Sequence, residues 1–373
     1  MTRRLRLPSL SSLTRAYQRN LKTLTRALKP VRAKAVKVTK KSAKKTTAVV
    51  KSASGVKPVK TAKPATKAAR SKVAPVEGDW IAGVALGLGG ARRFHLHVPP
   101  GLALQPGEKL PLMVMLHGCG QTGLDFAKST RMGRLAARKR FLVLYPEQER
   151  MANAQGCWNW FHQRNGQADA EATILWAAVN QVAQRYPVDL ARVAVAGLSA
   201  GASMAALMAL RFPERFRAVI MHSGVVPGAA ESTATVLGAM MGQRTGHLPS
   251  PYAGIADPAA LITPLPPLLV LHGNVDGVVS VRNGIATAQL WAQSQGAKAG
   301  VPTTQQRGKR YSMRVTEFKA NGRPVAVLRE ISGLGHAWSG GAAKLPYSDS
   351  AGPDASALAW AFAEREFKRV VGK

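Results

Sequence analysis

Short runs, apolar but for a closing His222, recur along the chain at residues 110–116, 193–196, 218–222 and 268–271, each four to seven residues long. An apolar run this short, with no polar alternation, is the pattern of a strand covered on both faces. Residues 141–145 read the same way. Helical stretches separate these runs. Residues 202–210 are mostly Ala, Leu and Met, all good helix formers. Asp169 is the expected cap of a helix running to Tyr186, and residues 356–370 form an amphipathic helix that closes the sheet. Residues 92–98 alternate and stop at Pro99-Pro100-Gly101, as an early strand would. Residues 314–318 and 325–331 alternate around Asn321-Gly322, which predicts a hairpin. Order is expected from about Trp80. Residues 227–260 are rich in Gly, Pro and Ala with little pattern and read as a lid or cap. Buried strands alternating with helices predict an α/β domain, with a mostly parallel central sheet and helices on both faces.

Charge changes the picture at the N-terminus. The chain has 373 residues and a formal net charge of +34. Residues 1–76 hold 22 of the 53 Lys and Arg and no Asp or Glu. Within them Leu10, Leu13, Tyr17, Leu21, Leu24 and Leu28 recur at spacings of three and four, with Arg15, Arg19, Lys22, Arg26 and Lys29 between them. This predicts a basic amphipathic helix over about residues 10–29, opened by Ser11 or Ser12. Such a helix can lie on an anionic surface, pack on another helix or coat a hydrophobic particle. It also has the composition of an Arg-rich transit peptide. From residue 30 to 75 the chain is Lys-, Ala-, Thr-, Val- and Pro-rich and cannot bury a core, so a disordered linker is expected. Its charge suits binding to a polyanion such as nucleic acid, but no aromatic or base-reading motif accompanies it. The expected organisation is therefore a basic, largely disordered tail over residues 1–76 and a folded domain over 77–373. No apolar run reaches the ~20 residues of a membrane span. The N-terminus also lacks the ~7–15-residue apolar core of a signal peptide. Cys119 and Cys157 are the only cysteines. Two cysteines make no disulfide scaffold, and a single bridge between them stays open.

Candidate chemistry clusters at the ends of the apolar runs. The run at 193–196 passes into Gly197-Leu198-Ser199-Ala200-Gly201 and then a helix. A serine between a strand and a helix is forced into strained angles, and its neighbours two residues away must be small because strand and helix nearly collide. The alternative is a glycine-rich turn with a capping serine. The run at 110–116 passes into His117-Gly118-Cys119-Gly120-Gln121-Thr122-Gly123. Residues 118–123 fit G-x-G-x-x-G, and Glu147 follows the next strand, which is a dinucleotide fingerprint. The rival is an oxyanion loop with the Cys119 N–H facing a reacting carbonyl. A dinucleotide fold usually opens with this unit, whereas here a strand precedes it. His95 and His97 share a strand face, but no third ligand is grouped with them, so no metal site is expected. Trp158, Trp160 and Phe161 crowd one loop, either as a core anchor or as a platform for an acyl chain or sugar.

Chain order then selects the partners of Ser199. In α/β-hydrolases the triad runs Ser, Asp or Glu, His. Among acids between Ser199 and the last histidine, Asp276 alone follows a clear buried strand; Asp257 sits in the patternless segment. Only His336, in the Gly-rich loop Ser332-Gly333-Leu334-Gly335-His336, follows Asp276. Ser199, Asp276 and His336 are therefore the expected catalytic residues, with the N–H groups of Cys119 and Ala200 as oxyanion donors. No cofactor is called for.

Five segments together, His117-Gly118-Cys119-Gly120-Gln121, Cys157-Trp158-Asn159-Trp160-Phe161, Gly197-Leu198-Ser199-Ala200-Gly201, His272-Gly273-Asn274-Val275-Asp276 and Gly335-His336-Ala337-Trp338, resemble the poly(3-hydroxybutyrate) depolymerase-type esterases over about residues 80–370. These are α/β-hydrolases related to feruloyl and acetylxylan esterases. The resemblance implies an esterase acting on short-chain polyhydroxyalkanoates or related esters, with Trp158, Trp160 and Trp338 as expected substrate contacts. Members are typically secreted, which implies an extracellular location. The missing signal-peptide core leaves a cytoplasmic or granule-associated one open. The tail helix is the expected element for adhesion to a polyester granule or membrane. A nicotinamide-dependent oxidoreductase built on residues 118–123 and a polyanion-binding protein with an inactive hydrolase fold are the competing functions.

Overall fold

The computed structural model describes residues 78–248 and 264–371. The expected tail helix, the linker and Asp257 lie outside the described residues. Two antiparallel strands, β1 (Asp79–Gly87) and β2 (Gly90–Val98), open the domain. Next come β3 (Leu110–Leu116), the helices α1 (Gly123–Thr130) and α2 (Met132–Lys139), and β4 (Leu142–Pro146). α3 (Gln167–Arg185), β5 (Val188–Leu198), α4 (Ala200–Arg211) and β6 (Ala218–His222) follow. α5 (Thr233–Met240) lies within the stretch expected to be a patternless cap. β7 (Leu268–Gly273), α6 (Val281–Gln293), β8 (Lys298–Ala299), β9 (Thr303–Gln305), β10 (Met313–Ala320), β11 (Arg323–Ile331) and α7 (Ala355–Val371) complete the main elements.

Among the described residues the strands form one sheet in the order β1-β2-β4-β3-β5-β6-β7-β11-β10-β8, with β9 also on β10. The six strands from β4 to β11 run parallel. β1 and β2 on one side and β10 on the other are antiparallel additions. Successive side chains of each buried strand go to opposite layers. Leu112, Val114 and Leu116 of β3 join α3, α4 and α6 in one core, while Met113 and Met115 join α1, α2 and α7 in the other. Both faces of the parallel strands are therefore covered, which is why they read as continuous apolar runs. The chain winds from β3 outward to β4, then returns to place β5 on the other side of β3. The crevice beyond the carboxyl ends of β3 and β5 is thus the switch point where open α/β sheets bind ligands.

One local expectation changes and one holds. The helix expected from Asp169 starts earlier, after Gly166 at φ 71°. Asp169 lies in its first turn, with its carboxylate paired to Arg211 rather than capping the helix. The hairpin turn is at the expected place, with Asn321 at φ 48° and Gly322 at φ 74°, the pair of positive angles that a two-residue type I′ turn requires.

Candidate active site

β5 carries Ser199 to the carboxyl edge of the sheet, and α4 begins at the next residue. Ser199 has φ 57° and ψ −121°, a conformation that costs a non-glycine residue about 1–3 kcal/mol. Its surroundings hold it there. The Ser199 N–H donates to the His222 carbonyl at 2.9 Å, and its carbonyl accepts from Ala202 N–H at 3.0 Å and Ser203 N–H at 3.1 Å. The flanking glycines are required by contact distance. A Cβ on Gly197 would lie 2.2 Å from the Gly201 carbonyl, and one on Gly201 would lie 2.2 Å from the Leu116 oxygen. Ser199 is half-buried and stands at the N-terminus of α4, where the first N–H groups lack intrahelical acceptors and carry partial positive charge.

Asp276 lies just past β7 and His336 just past β11, neighbouring parallel strands. His336 Nδ1 donates to Asp276 Oδ2 at 2.8 Å. The Asp276 side chain is 0% exposed and that of His336 is 7% exposed. Asp276 Oδ1 accepts from the N–H groups of Val278 and Val279, both at 2.9 Å. Burial by itself would raise this carboxyl, but the hydrogen bonds from His272 and His336 outweigh it and hold it well below the usual carboxylate range. The group therefore stays ionised at neutral pH. With the His336 proton committed to Asp276 at Nδ1, the free lone pair is on Nε2, as a general base needs. The two loops are also stitched together: Gly333 N–H donates to Asn274 Oδ1 at 2.8 Å and Asn274 N–H to the Ile331 carbonyl at 3.0 Å.

His222, at the end of β6, joins the serine to the histidine loop. Its carbonyl receives the Ser199 N–H, and its Nε2 receives the Ser339 N–H at 3.2 Å. Its ring stacks on Trp338 with centroids 5.1 Å apart. Burial pushes the ring down to about 3, so it is neutral. Among the described residues no hydrogen bond joins Ser199 Oγ to His336 Nε2; in unliganded sites this bond is often long and tightens when substrate binds.

The loop after β3 supplies one more feature. Gly118 N–H is taken by Gln121 Oε1 at 2.9 Å, Gly120 N–H by the Gln155 carbonyl at 3.0 Å, and Gln121 N–H by the Gly118 carbonyl at 3.2 Å. Among the described residues the Cys119 N–H is not in such a bond, and a Cβ built on Gly118 would stand 3.6 Å from Ser199 Cβ. Cys119 is bonded to Cys157, with Cα atoms 4.2 Å apart. The pairing left open by the sequence is thus made, and it ties this loop to the Trp158 segment. The dinucleotide reading asks these N–H groups to face a pyrophosphate, and three of them are already occupied. Glu147, the proposed ribose ligand, instead accepts from Gly123 N–H at 3.2 Å and lies 3.6 Å from Arg93.

The tryptophans require a correction. Trp158 and Trp338 are 0% exposed and Trp160 is 6% exposed. Trp158 Nε1 donates to the His117 carbonyl at 2.9 Å, and Trp338 Nε1 to Ser356 Oγ at 3.1 Å. Their indoles fill the core with their polar edges satisfied, so Trp158 and Trp338 offer substrate no open face. They support the site loops from beneath. His222, His272, Gln148 and Glu171 are parts of the site to which the sequence assigns no role, although His272 opens one of the five segments. One signal was available for two of them: β3, β6 and β7 are each a pure apolar run that meets a buried histidine at its carboxyl end, His117, His222 and His272.

The family model described as Esterase PHB depolymerase matches residues 92–307, more than half of the chain. The chain belongs to this family. The chain is 28% identical over 243 residues to poly(3-hydroxyalkanoate) depolymerase C of Paucimonas lemoignei, covering 64% of this chain and 57% of that one. It is likewise 28% identical over 222 residues to feruloyl esterase B of Neurospora crassa, covering 57% of this chain and 74% of that one. It is 28% identical over 225 residues to a probable acetylxylan esterase A of Aspergillus fumigatus, covering 57% and 58%. The chain thus spans little more than half the length of the depolymerase and the acetylxylan esterase. Among solved structures, the acetyl xylan esterase from Aspergillus awamori superposes with a TM-score of 0.56 at 22% identity, covering 69% of this chain and 94% of that one. The fold is that of the α/β-hydrolases. The family match includes Cys119, Ser199 and Asp276 and stops before His336.

Proposed function

We propose that this protein is a serine esterase that cleaves short-chain polyhydroxyalkanoates or related esters through an acyl-enzyme. The observation that carries the proposal is the buried Asp276–His336 pair at the same sheet edge as Ser199 on its strained turn. Ser199 Oγ attacks the ester carbonyl while His336 Nε2 takes its proton. The N–H groups of Cys119 and Ala200 receive the oxyanion, a contribution of about 2.7–4 kcal/mol per donor. The intermediate collapses, His336 returns the proton to the leaving alcohol, and an acyl-Ser199 ester remains. Water then attacks that ester with His336 as base, releasing the acid and restoring the serine. Asp276 keeps the imidazole in the Nδ1–H tautomer and stabilises the imidazolium.

A second reading, hydrolysis of feruloyl or acetyl esters of carbohydrates, uses the same machinery and is favoured by the feruloyl and acetylxylan esterases among the relatives. A panel of hydroxybutyrate oligomers, feruloyl esters, acetylated xylan and p-nitrophenyl esters, assayed side by side, separates the two. Highest kcat/KM on the oligomers supports the first; activity confined to carbohydrate esters replaces it with the second. The basic tail is proposed to hold the enzyme on polymer granules or an anionic surface. Deleting residues 1–76 is then expected to abolish granule association and spare hydrolysis of a soluble ester; unchanged association ends that idea.

A further inference from the structure

The Cys119 N–H is one end of a peptide unit whose other end is the Gly118 carbonyl. Because the unit is planar and trans, its N–H and C=O point in opposite directions. Whatever holds the Gly118 oxygen therefore aims the Cys119 N–H. Two donors hold that oxygen: His117 Nδ1 at 2.8 Å and Gln121 N–H at 3.2 Å. The His117 ring can donate from Nδ1 only in one tautomer, and the structure selects it. Gln148 N–H donates to His117 Nε2 at 3.1 Å, so Nε2 holds the lone pair and Nδ1 the proton. The ring is 0% exposed, and burial pushes it down to about 4, so one neutral tautomer persists at neutral pH.

Gln148 is fixed in turn. Its Nε2 donates to Glu171 Oε1 at 2.6 Å and to the Cys157 carbonyl at 2.9 Å. Glu171, 1% exposed, also accepts from Arg92 Nη2 at 2.6 Å and from Asn159 N–H at 2.6 Å. One buried carboxylate thus fastens β2, the segment after β4 and the segment that carries Cys157. That last segment grips the oxyanion loop twice more, by the Cys119–Cys157 bond and by Trp158 Nε1 on the His117 carbonyl.

We propose that His117 is a positioning residue for the oxyanion donor: Gln148, braced by Glu171, fixes the ring as the Nδ1–H tautomer, and the ring turns the Cys119 N–H toward the reacting carbonyl. The inference rests on the hydrolytic reading given above. The chemistry is orientation alone, since His117 neither touches substrate nor exchanges a proton.

Two amide substitutions in the full chain test it. H117N keeps a donor at the place of Nδ1 and loses the acceptor facing Gln148. H117Q keeps a group at the place of Nε2 and loses the donor to Gly118. Both bury a neutral amide, so a merely structural role would affect them alike. The readouts are kcat and KM on a soluble p-nitrophenyl ester, and the Ki of a trifluoromethyl ketone, whose adduct places an oxyanion in the hole. H117Q is expected to lose about 10²-fold in kcat with KM within about threefold, and to bind the ketone about 10²-fold more weakly. H117N is expected to stay within about tenfold of the parent in both. Equal kcat and equal Ki in the two variants, or a loss seen only in KM, overturns the proposal. If one variant fails to fold, E171Q serves with the same readouts: kcat and ketone affinity falling in parallel supports the proposal, and parental values for both overturn it. S199A distinguishes failure of the hydrolytic reading from failure of the role of His117. Turnover by S199A at the parental rate refutes the hydrolytic reading itself, whereas an inactive S199A beside an unimpaired H117Q refutes only the role of His117.

Discussion

Acidification is expected to destabilise the folded domain well before its carboxylates titrate. His117 and His222 are both 0% exposed. Burial, the leading cause in each, pushes them down to about 4 and about 3 from 6.5. Between those values and 6.5 the unfolded chain binds protons that the folded chain refuses. Unfolding therefore gains on folding as pH falls, and stability rises with pH through that window. At pH 5 each ring costs about 2 kcal/mol relative to pH 7, so the pair costs about 4 kcal/mol. His97 and His162, also lowered chiefly by burial, push the same way. Asp276 is depressed, so the stability it supplies is lost only as pH falls further, below the window in question. For a domain of this size, 4 kcal/mol corresponds to a Tm lower by about 6–10 °C. Thermal melts of the full chain at pH 7, 6 and 5 measure it. H222N removes one titrating ring and is expected to flatten the pH dependence by at most about half, because His117, His97 and His162 still push the same way, whatever it does to stability at pH 7. A parent Tm unchanged from pH 7 to 5, or an H222N slope equal to the parent's, would refute the reasoning.

G201A places a Cβ 2.2 Å from the Leu116 carbonyl oxygen, so it is expected to cost at least about 1–3 kcal/mol in urea unfolding and at least tenfold in kcat. Reduction of the Cys119–Cys157 bond, or C157S, frees a loop of sequence separation 38. Loop-closure entropy sets that loss at about 4 kcal/mol, read as a lower urea midpoint with reductant present. D276N turns an ionised partner of His336 into an amide, and kcat is expected to fall by about 10⁴-fold with KM little changed in steady-state assays.

Where a single local constraint decides a structure, it was readable in the residues. The turn at Ser199 needs small neighbours at 197 and 201, and the chain has Gly at both. β3 and β6 are bounded where their apolar runs are bounded, because both faces are covered. β1 was not legible as a strand: it is an edge strand whose outward Trp80, Val84 and Leu86 are as apolar as its inward Ile81 and Ala85, so its sequence shows no alternation of polar and apolar residues. α6 also escaped, although Ser280 caps it and Ala288, Trp291 and Ala292 are buried at helical spacing, because Gly284 interrupts its propensity. Gly284 is there for contact, since a Cβ would meet His272 Nδ1 at 2.7 Å. The tryptophans at 158 and 338 illustrate a different limit. An indole has the same composition signal whether it faces solvent or core, and only its neighbours decide. Glu171 and Gln148 act through partners as much as 79 residues away, a relation that no local pattern carries.

Hydrolysis by this route requires Ser199 to become acylated. A p-nitrophenyl butyrate reaction, quenched in acid within the first turnover and digested for mass spectrometry, tests this directly. The expected result is a butyryl group on the peptide bearing Ser199, formed at the rate of the nitrophenolate burst and missing from S199A. Steady release of nitrophenolate by the parent with no acyl group on that peptide, or with the group on another residue, contradicts the mechanism.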